Sequence, residues 1–245
     1  MLPKMDGVIA AVICAAGSSN RMGGQKKEYR LLENSGSPQL TVLASSVKVF
    51  SEISNIKYIL ISIPENGEQA ARQALPPGLL NNPSGPEVVF VAGGPSRRAS
   101  VYNALLFLKN IHPGYVLIHD GARPWIDRDL VERCINGAIK HGAVLPVMPL
   151  VETPKEIDST GAVIRHLKRA SLVGAQTPQA FVFSKILEAH IKAAKRESSE
   201  NYEYTDDAEI WGEFIGPVMT VPGSSRNKKI TFPEDLPEPR KGVYP

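Results

Sequence analysis

The sequence predicts an α/β fold in which a mostly parallel, Rossmann-like sheet is flanked by helices. Short apolar runs rich in β-branched residues alternate with segments of helical periodicity along the first part of the chain. The apolar runs are nearly continuous, which is typical of strands covered on both faces, and strand–helix alternation is typical of parallel sheets. A chain of 245 residues, 42% of them apolar, can bury the core that such a sheet needs.

These patterns give a succession of predicted strands and helices. The strands are predicted at 8–15, 57–63, 87–92, 115–119 and 143–148, and the helices at 39–50, 67–75, 100–109 and 127–140. Asp127 is the predicted N-cap of the fourth helix. The region around Ser84 is interpreted as a surface loop. Further along, we expect helices at 182–196 and 206–212, a strand at 217–221 and a loosely held tail at 233–245.

The segment 149–172 departs from this alternation and predicts a projecting β-ribbon. Its residues alternate between polar and apolar types around turn residues at 158–161. An isolated hairpin is only marginally stable in water, so we expect a partner surface to cover the ribbon. The sequence is therefore interpreted as a single domain, 1–245, that carries a dimerisation arm.

Charge and cysteine content exclude several classes of protein. The 28 basic and 25 acidic residues leave a net charge of +3, too even for a general nucleic-acid or membrane binder. Cys14 and Cys134 are the only cysteines and lack metal-ligand spacing, so we expect reduced thiols in a cytoplasmic protein. The apolar run at 8–16 faintly resembles a signal peptide, but a buried strand explains it better. No apolar run is long enough to span a bilayer.

The loop after the first predicted strand has the residue types expected of a phosphate site. Ala15, Ala16 and Gly17 let the backbone approach a polyphosphate closely, and consecutive amides there can bind an anion. Arg21 and Lys27 add permanent positive charge. The loop matches neither a P-loop nor the dinucleotide fingerprint of oxidoreductases. An ordinary strand-to-helix turn with exposed basic residues is the alternative interpretation.

Two more loops follow the third and fourth predicted strands. Gly94 and Arg97 suit close approach to a base or ribose, whereas Ser100 is alternatively a helix cap. Asp120 can hold a Mg²⁺ ion that bridges triphosphate oxygens, with a structural ion pair to Arg123 as the alternative. Because the carboxyl ends of parallel strands converge, we expect the three loops to form one site.

Together with five further motifs, these loops resemble the 2-C-methyl-D-erythritol 4-phosphate cytidylyltransferases of isoprenoid biosynthesis. The further motifs are Lys27-x-Tyr29, Glu152-Thr153-x-Lys155, Gln176-Thr177-Pro178-Gln179-x-Phe181, Thr205-Asp206-Asp207-Ala208 and Asn227-x-Lys229-Ile230-Thr231. The resemblance covers 8–236, with the motifs in matching order. It implies a nucleotidyltransferase-type fold and an enzyme that couples CTP to methylerythritol phosphate, giving CDP-methylerythritol and pyrophosphate.

The resemblance also implies a role for each matching residue. The nucleotide would be bound by Ala15, Ala16, Gly17, Gly94, Arg97, Ser100, Asp120 and Arg123, with Asp120 also at the Mg²⁺ ion. Charge on the α-phosphate would be stabilised by Arg21 and Lys27. The acceptor would be bound by Glu152, Arg169, Thr177, Thr205 and Lys229. Arg169 would reach across a homodimer, so that the two active sites are shared; neither nucleic acid nor membrane is an expected partner.

The sequence departs from the family pattern at a few positions. Ser19 stands where a second glycine is usual, Gly121 replaces an alanine and Glu152 replaces an aspartate. Pro95 removes an amide donor beside Gly94, and Glu28 replaces a glutamine. None of these changes removes a cationic phosphate ligand.

Two alternative functions stay open at this point. A ribitol 5-phosphate cytidylyltransferase would share the first three motifs, but the motifs at 152–155 and 205–207 favour methylerythritol phosphate. A catalytically silent nucleotide-binding subunit is the other alternative. The four charged residues of the pattern argue against it; they are Arg21, Lys27, Asp120 and Lys229.

Overall fold

The computed structural model describes residues 7–19, 22–23, 26–32, 39–200 and 202–236. Along the chain, its central sheet begins with five strands. They are β1 (Ile9–Cys14), β2 (Ile56–Ile63), β3 (Glu87–Ala92), β4 (Tyr115–Asp120) and β5 (Ala143–Pro149). Each lies within one or two residues of its prediction. The neighbours β1, β2, β3 and β4 pair in parallel, which confirms the predicted sheet type.

Helices connect and cover these strands. They are α1 (Val42–Ser51), α2 (Glu68–Gln73), α3 (Pro77–Leu80), α4 (Arg97–Leu108), α5 (Arg128–His141), α6 (Phe183–Glu200) and α7 (Asp207–Phe214). Asp127 caps α5 as predicted, its side chain accepting from the Leu130 N–H at 2.9 Å. The helix predicted at 100–109 begins earlier, at Arg97, because Ser96 is its cap. The interpretation of Ser100 as a helix cap was therefore wrong. The short helix α3 was also not predicted, since the region around Ser84 was interpreted as a surface loop.

The sheet separates two hydrophobic cores, and β1 contributes alternate residues to each. Ile9 and Ile13 pack on one side in a cluster with side chains of α1 and α5. Ala10 and Val12 pack on the other side in a cluster with side chains of α4, α6 and α7. Strand β3 lies at the edge of the sheet and is only partly buried. Val88 and Phe90 still pack against the first core, and Val89 and Val91 against the second, so β3 is covered on both faces but less completely than predicted.

The second half of the chain adds short strands, of which those at Val173–Ala175 and Gln179–Val182 were not predicted. The short strands are β6 (Lys155–Ile157), β7 (Val163–His166), β8 (Val173–Ala175), β9 (Gln179–Val182) and β10 (Met219–Pro222). The main sheet has the order β10-β5-β9-β4-β1-β2-β3, with β8 also paired to β5. Strand β9 is antiparallel to both of its neighbours, β4 and β5. The sheet is therefore mixed but mostly parallel.

Strands β6 and β7 form the separate two-stranded ribbon predicted at 149–172. Its turn is closed by the Asp158 side chain, which accepts from the backbone N–H groups of Thr160 and Ala162. Val151, Ile157 and Ile164 are largely exposed on this arm, which we define as 150–172. The ribbon is confirmed, whereas its role in dimerisation stays a prediction.

The remaining features of the chain are local. Three-residue 3-10 turns occur at Lys27–Tyr29, Arg169–Ser171 and Pro233–Asp235. Most of the tail predicted at 233–245 lies outside the described residues. Within the described ranges, no helix combines the length and the apolar character needed to cross a bilayer.

Candidate active site

The three predicted loops meet around a cavity of about 610 Å³ at the carboxyl ends of β1, β3 and β4. Ala16 and Gly17 line it from the loop after β1, Gly94 and Arg97 from the start of α4, and Asp120 from the end of β4. Lys229 and Thr231 line it from a segment near the C-terminus. The convergence expected from strand topology is thus observed.

The loop after β1 is stabilised by a lysine that sequence reasoning did not single out. Lys26 Nζ donates to the carbonyl oxygens of Ala15, at 2.6 Å, and Gly17. Burial lowers the pKa of Lys26, although the nearby Glu28 carboxylate opposes this. Ser19, which stands at the usual glycine position, has a left-handed φ of 53°. The departure from glycine therefore costs backbone strain in the loop itself.

Of the two predicted catalytic cations, Lys27 lies within the described residues. Its side chain lines the cavity, and Nζ donates to the carbonyl oxygen of Ile230 at 2.8 Å. Arg21, the other predicted catalytic cation, lies outside the described residues.

The loop between β3 and α4 is packed tightly against the helix. A Cβ atom on Gly94 would lie 2.5 Å from the Cβ of Ala99, so the close approach requires a glycine. The buried Ser100 hydroxyl accepts from the Gly94 N–H at 3.0 Å and donates to the Ser96 carbonyl at 2.9 Å. Ser100 thus fixes the shape of the loop rather than capping the helix.

Asp120 is the electrostatic centre of the cavity floor. Its carboxylate lies 2.9 Å from Lys229 Nζ, 3.4 Å from Arg97 Nε and 3.5 Å from Arg123 Nε. Burial by itself would raise the pKa of Asp120, but these three cations outweigh it and hold the pKa well below its usual range. Asp120 is therefore ionised throughout the physiological pH range.

Arg97 connects this carboxylate to a second, fully buried one that was not predicted as a site residue. Its Nη1 atom lies 2.7 Å from Asp207 Oδ2, and Asp207 Oδ1 lies 3.1 Å from His190 Nε2. Burial opposes ionisation of Asp207, but Arg97 and the His190 hydrogen bond lower its pKa overall. The motif at 205–208 could have indicated Asp207 as a site residue. A carboxylate in the first turn of a helix is usually exposed to solvent, however, so Asp207 was not singled out.

Thr177 lies beneath Asp120 and is buried. Its hydroxyl accepts from the Asp120 backbone N–H at 3.1 Å and therefore donates to His119 Nδ1 at 3.0 Å. Burial lowers the pKa of His119 to about 4. A neutral imidazole suits this arrangement, since Nδ1 accepts while Nε2 donates to the Arg123 carbonyl at 3.3 Å. In this chain Thr177 supports the floor instead of lining the cavity.

Besides Thr177, five of the predicted residues that the structure describes do not line the cavity, and one of them is the buried Ala15. Arg123 Nη1 donates to the Asn227 carbonyl at 2.8 Å, behind the cavity wall. Thr205 donates through its N–H and hydroxyl groups to the Glu209 carboxylate. Glu152 and Arg169 lie on the arm, where Arg169 Nη1 donates to the Val151 carbonyl at 2.6 Å.

The donor set of the cavity is compatible with one type of metal site. Across the described ranges, no cluster of three or more His, Cys, Asp or Glu side chains is arranged to hold a metal. Mg²⁺, however, typically takes one or two carboxylates and completes its coordination with water and substrate phosphates. Asp120, a single ionised carboxylate facing the cavity, fits that requirement.

Known proteins resemble this chain in both sequence and fold. The bifunctional enzyme IspD/IspF of Bartonella henselae is 38% identical over 231 residues, which are 93% of this chain and 55% of the relative. The chain thus spans about half the length of the curated relatives it matches.

Two solved structures superpose on almost the whole chain at 29% sequence identity. One is the 4-diphosphocytidyl-2C-methyl-D-erythritol synthase of Anaerococcus prevotii, with a TM-score of 0.74 and 94% of each chain covered. The other is the 2-C-methyl-D-erythritol 4-phosphate cytidylyltransferase of Thermus thermophilus, with a TM-score of 0.69 and coverage of 92% and 94%. The sequence profile of one family, described as IspD: 2-C-methyl-D-erythritol 4-phosphate cytidylyltransferase, matches residues 9–240. The chain belongs to that family.

Proposed function

We propose that the protein transfers a cytidylyl group from CTP to 2-C-methyl-D-erythritol 4-phosphate. The acceptor phosphate oxygen bonds to the α-phosphorus of CTP, the bond to the bridging oxygen breaks, and pyrophosphate leaves. The observation that carries the proposal is the cluster of Lys27, Arg97 and Lys229 around one cavity at the strand ends. This charge distribution suits a triphosphate approached by a second phosphate.

Direct transfer needs no nucleophile from the enzyme, because the acceptor phosphate is itself charged. Cys14 lines the cavity, but burial raises the pKa of its thiol to about 12, so it stays protonated and unreactive. Catalysis then depends on position and charge: Lys27, with Arg21 by resemblance, stabilises the α-phosphate as charge develops. Incubating the enzyme with labelled CTP alone should give no nucleotidylated protein, and trapping such a species would contradict direct transfer.

We assign a Mg²⁺ ion to Asp120. When bound, the ion would neutralise charge on the triphosphate oxygens. The ionised state of Asp120 at neutral pH supports the assignment. The Lys229 ammonium group would then be available to phosphate oxygens, since Asp120 would share its charge with the metal. Arg97 would keep its pair with Asp207.

We further propose a homodimer with shared active sites. Lys229 lies in the cavity, whereas Arg169 and Glu152 lie on the arm of the same chain. A phosphate dianion favours more than one cation, and Arg169 of a second copy would supply one on the acceptor side. The exposed apolar side chains of the arm support this arrangement, because a symmetric contact between two copies would cover them.

The shared-site proposal is tested by complementation. Arg169→Ala and Lys229→Ala should each be inactive alone. After proven subunit exchange, a mixed dimer should regain activity at the one site that has both residues. Continued inactivity of the mixture, or an active monomer in solution scattering, would contradict shared sites.

The reaction itself is tested by pyrophosphate release. CTP, UTP and ATP should each be combined with methylerythritol 4-phosphate and ribitol 5-phosphate. We expect release with CTP and methylerythritol 4-phosphate only. Preference for ribitol 5-phosphate would show that this compound, and not methylerythritol 4-phosphate, is the acceptor. Absence of pyrophosphate release from every pair would favour a silent nucleotide-binding subunit.

We propose the cytoplasm as the site of action and one nucleotidyltransferase domain, 1–245, as the unit. Cys14 and Cys134 are unpaired, which suits a reducing compartment. The net charge of +3 gives no support to a nucleic-acid or membrane partner.

A further inference from the structure

The segment 223–231 carries Lys229 to the cavity and is attached to the rest of the molecule by hydrogen bonds of two polar side chains, one outside the segment and one within it. The first attachment is the Gln176 amide, which follows β8. Its Oε1 accepts from the Ser224 N–H at 3.1 Å, and its Nε2 donates to the Ser224 carbonyl at 2.9 Å. One side chain thus satisfies both backbone groups of one residue. The approach is close, because a Cβ atom on Gly223 would lie 2.6 Å from Gln176 Oε1.

The second attachment is Asn227, which is fully buried. Its Nδ2 donates to the Thr177 carbonyl at 2.7 Å, and its own carbonyl accepts from Arg123 Nη1 at 2.8 Å. Beyond the lysine, the Ile230 N–H donates to the Ala122 carbonyl at 2.8 Å. Lys229 is therefore held between anchored residues on both sides along the chain.

The cavity depends on the position of this segment in two ways. Lys229 Nζ contacts Asp120 on one side, and the Ile230 carbonyl accepts from Lys27 Nζ on the other. A lysine side chain has a long flexible stem and contributes little orientation of its own. The backbone that carries it must therefore fix where the ammonium group can reach.

We propose that Gln176 and Asn227 are positioning residues that hold segment 223–231 so that Lys229 can bind the acceptor phosphate. The inference rests on the proposed function, in which Lys229 is an acceptor ligand. Neither side chain lines the cavity, so each acts through the segment and not by touching substrate. Loss of either attachment should weaken acceptor use more than CTP binding.

The test uses two variants that preserve side-chain size. Gln176→Met removes both hydrogen bonds to Ser224 and a longer one, at 3.4 Å, to the Asn227 carbonyl. Asn227→Asp replaces the donor to Thr177 with an oxygen that repels the carbonyl. Each should raise the acceptor KM about tenfold or more, since small misplacements of binding groups have large kinetic effects. CTP binding without acceptor should change less than about threefold, the effect being confined to the acceptor side. Gln73→Met, at an exposed position of α2, is the matched control and should behave as wild type.

A double variant separates positioning from general weakening of the fold. Because Lys229→Ala is expected to be inactive, the readout here is the Kd of the acceptor, measured by calorimetry. In a Lys229→Ala background, Gln176→Met should have almost no further effect on this Kd, because the group it positions is already absent. Additive effects would contradict the proposal. So would an unchanged acceptor KM in a folded Gln176→Met protein.

A further readout does not depend on the reaction. The rate at which an amine-reactive reagent labels Lys229, followed by mass spectrometry, should rise several-fold in Gln176→Met because its contact with Asp120 loosens. If no acceptor supports turnover, the proposed function fails, while this labelling still tests the positioning role. Equal labelling rates in wild type and variant would overturn it.

Discussion

The cavity floor and the arm contain the same types of charged residue in opposite environments. On the floor, Asp207 is fully buried and its contact with Arg97 joins residues 110 positions apart in sequence. On the arm, the pair of Arg165 and Glu156 has side chains that are 68% and 41% exposed, and Lys155 contacts His166 only 11 positions away. Desolvation, and not residue type, therefore decides how strongly the loss of one partner of an ion pair affects the molecule.

The physical consequence concerns the removal of one partner. A buried charge left without its counterion loses a large interaction and keeps its desolvation cost. An exposed charge is simply resolvated and screened by salt. We therefore expect floor substitutions to affect both stability and nucleotide use, and arm substitutions to affect neither within a single chain.

The largest expected effect is that of Asp207→Asn. It leaves Arg97 without its closest carboxylate, so the free energy of unfolding should fall by about 3 to 5 kcal/mol, as for other broken buried pairs. CTP affinity should fall as well, because Arg97 loses its orientation. Denaturant unfolding and equilibrium binding measure both. Asp129→Asn, at an exposed position in the first turn of α5, is the matched control and should cost no more than about 1 kcal/mol.

Next in size is the pH dependence caused by His119. Its folded-state pKa is lowered to about 4 from an ordinary value of 6.5, so the unfolded chain binds the proton first as pH falls. This group stabilises the fold fully above pH 6.5 and loses that contribution between 6.5 and 4, about 3 kcal/mol in all. His119→Gln should flatten the loss of stability in this window. Parallel pH profiles for wild type and variant would show that His119 is not its source.

Lys27→Ala tests the catalytic role of the cavity edge, outside the buried floor. The turnover number should fall on the order of 10²-fold or more, as when one donor to a developing charge is removed, and Arg21→Ala should act similarly. The melting temperature should hardly change, because a cation at the cavity edge contributes little to the core. Lys57→Ala, at an exposed position of β2, provides the control. Turnover of Lys27→Ala near the wild-type rate would remove it from catalysis.

The smallest effect is expected on the arm. Arg165→Ala removes an exposed ion pair and should change the free energy of unfolding by less than about 1 kcal/mol. A double-mutant cycle with Glu156→Ala measures the pair directly. A coupling energy above about 2 kcal/mol would mean that a second copy buries this pair, which would sharpen the comparison in favour of the dimer.

The sequence predicted the parallel part of the fold well, because each of its strands is a long apolar run. Strand β9 was missed for a physical reason: Gln179–Val182 is short, follows a proline and pairs with β4 and β5, which are distant in sequence. Strand β8 is equally short. Local patterns contain no information about an antiparallel strand inserted between two parallel ones.

The candidate site, like the fold, contains one set of residues that the sequence predicted and another that it did not. Residues of the strand-end loops were predicted because strand topology alone brings loop ends together, as for Gly94 and Asp120. The residues that support this site were not predicted, since the burial of His190 or Asn227 depends on helices and segments far away in the chain. A single sequence gives no sign that these polar side chains are removed from water.

The pairing of β5 with β8 gives the arm a simple place in the chain's architecture. Pro149 and Val173 are directly opposed in an antiparallel pair, so the chain leaves and re-enters the sheet at points about 5 Å apart. Segment 150–172 therefore begins and ends at one place in the sheet, and we expect its replacement to leave the register of the sheet intact. If the proposed dimer forms through the arm, transplanting the arm of a relative between these two residues should exchange the assembly partner without redesigning the cavity.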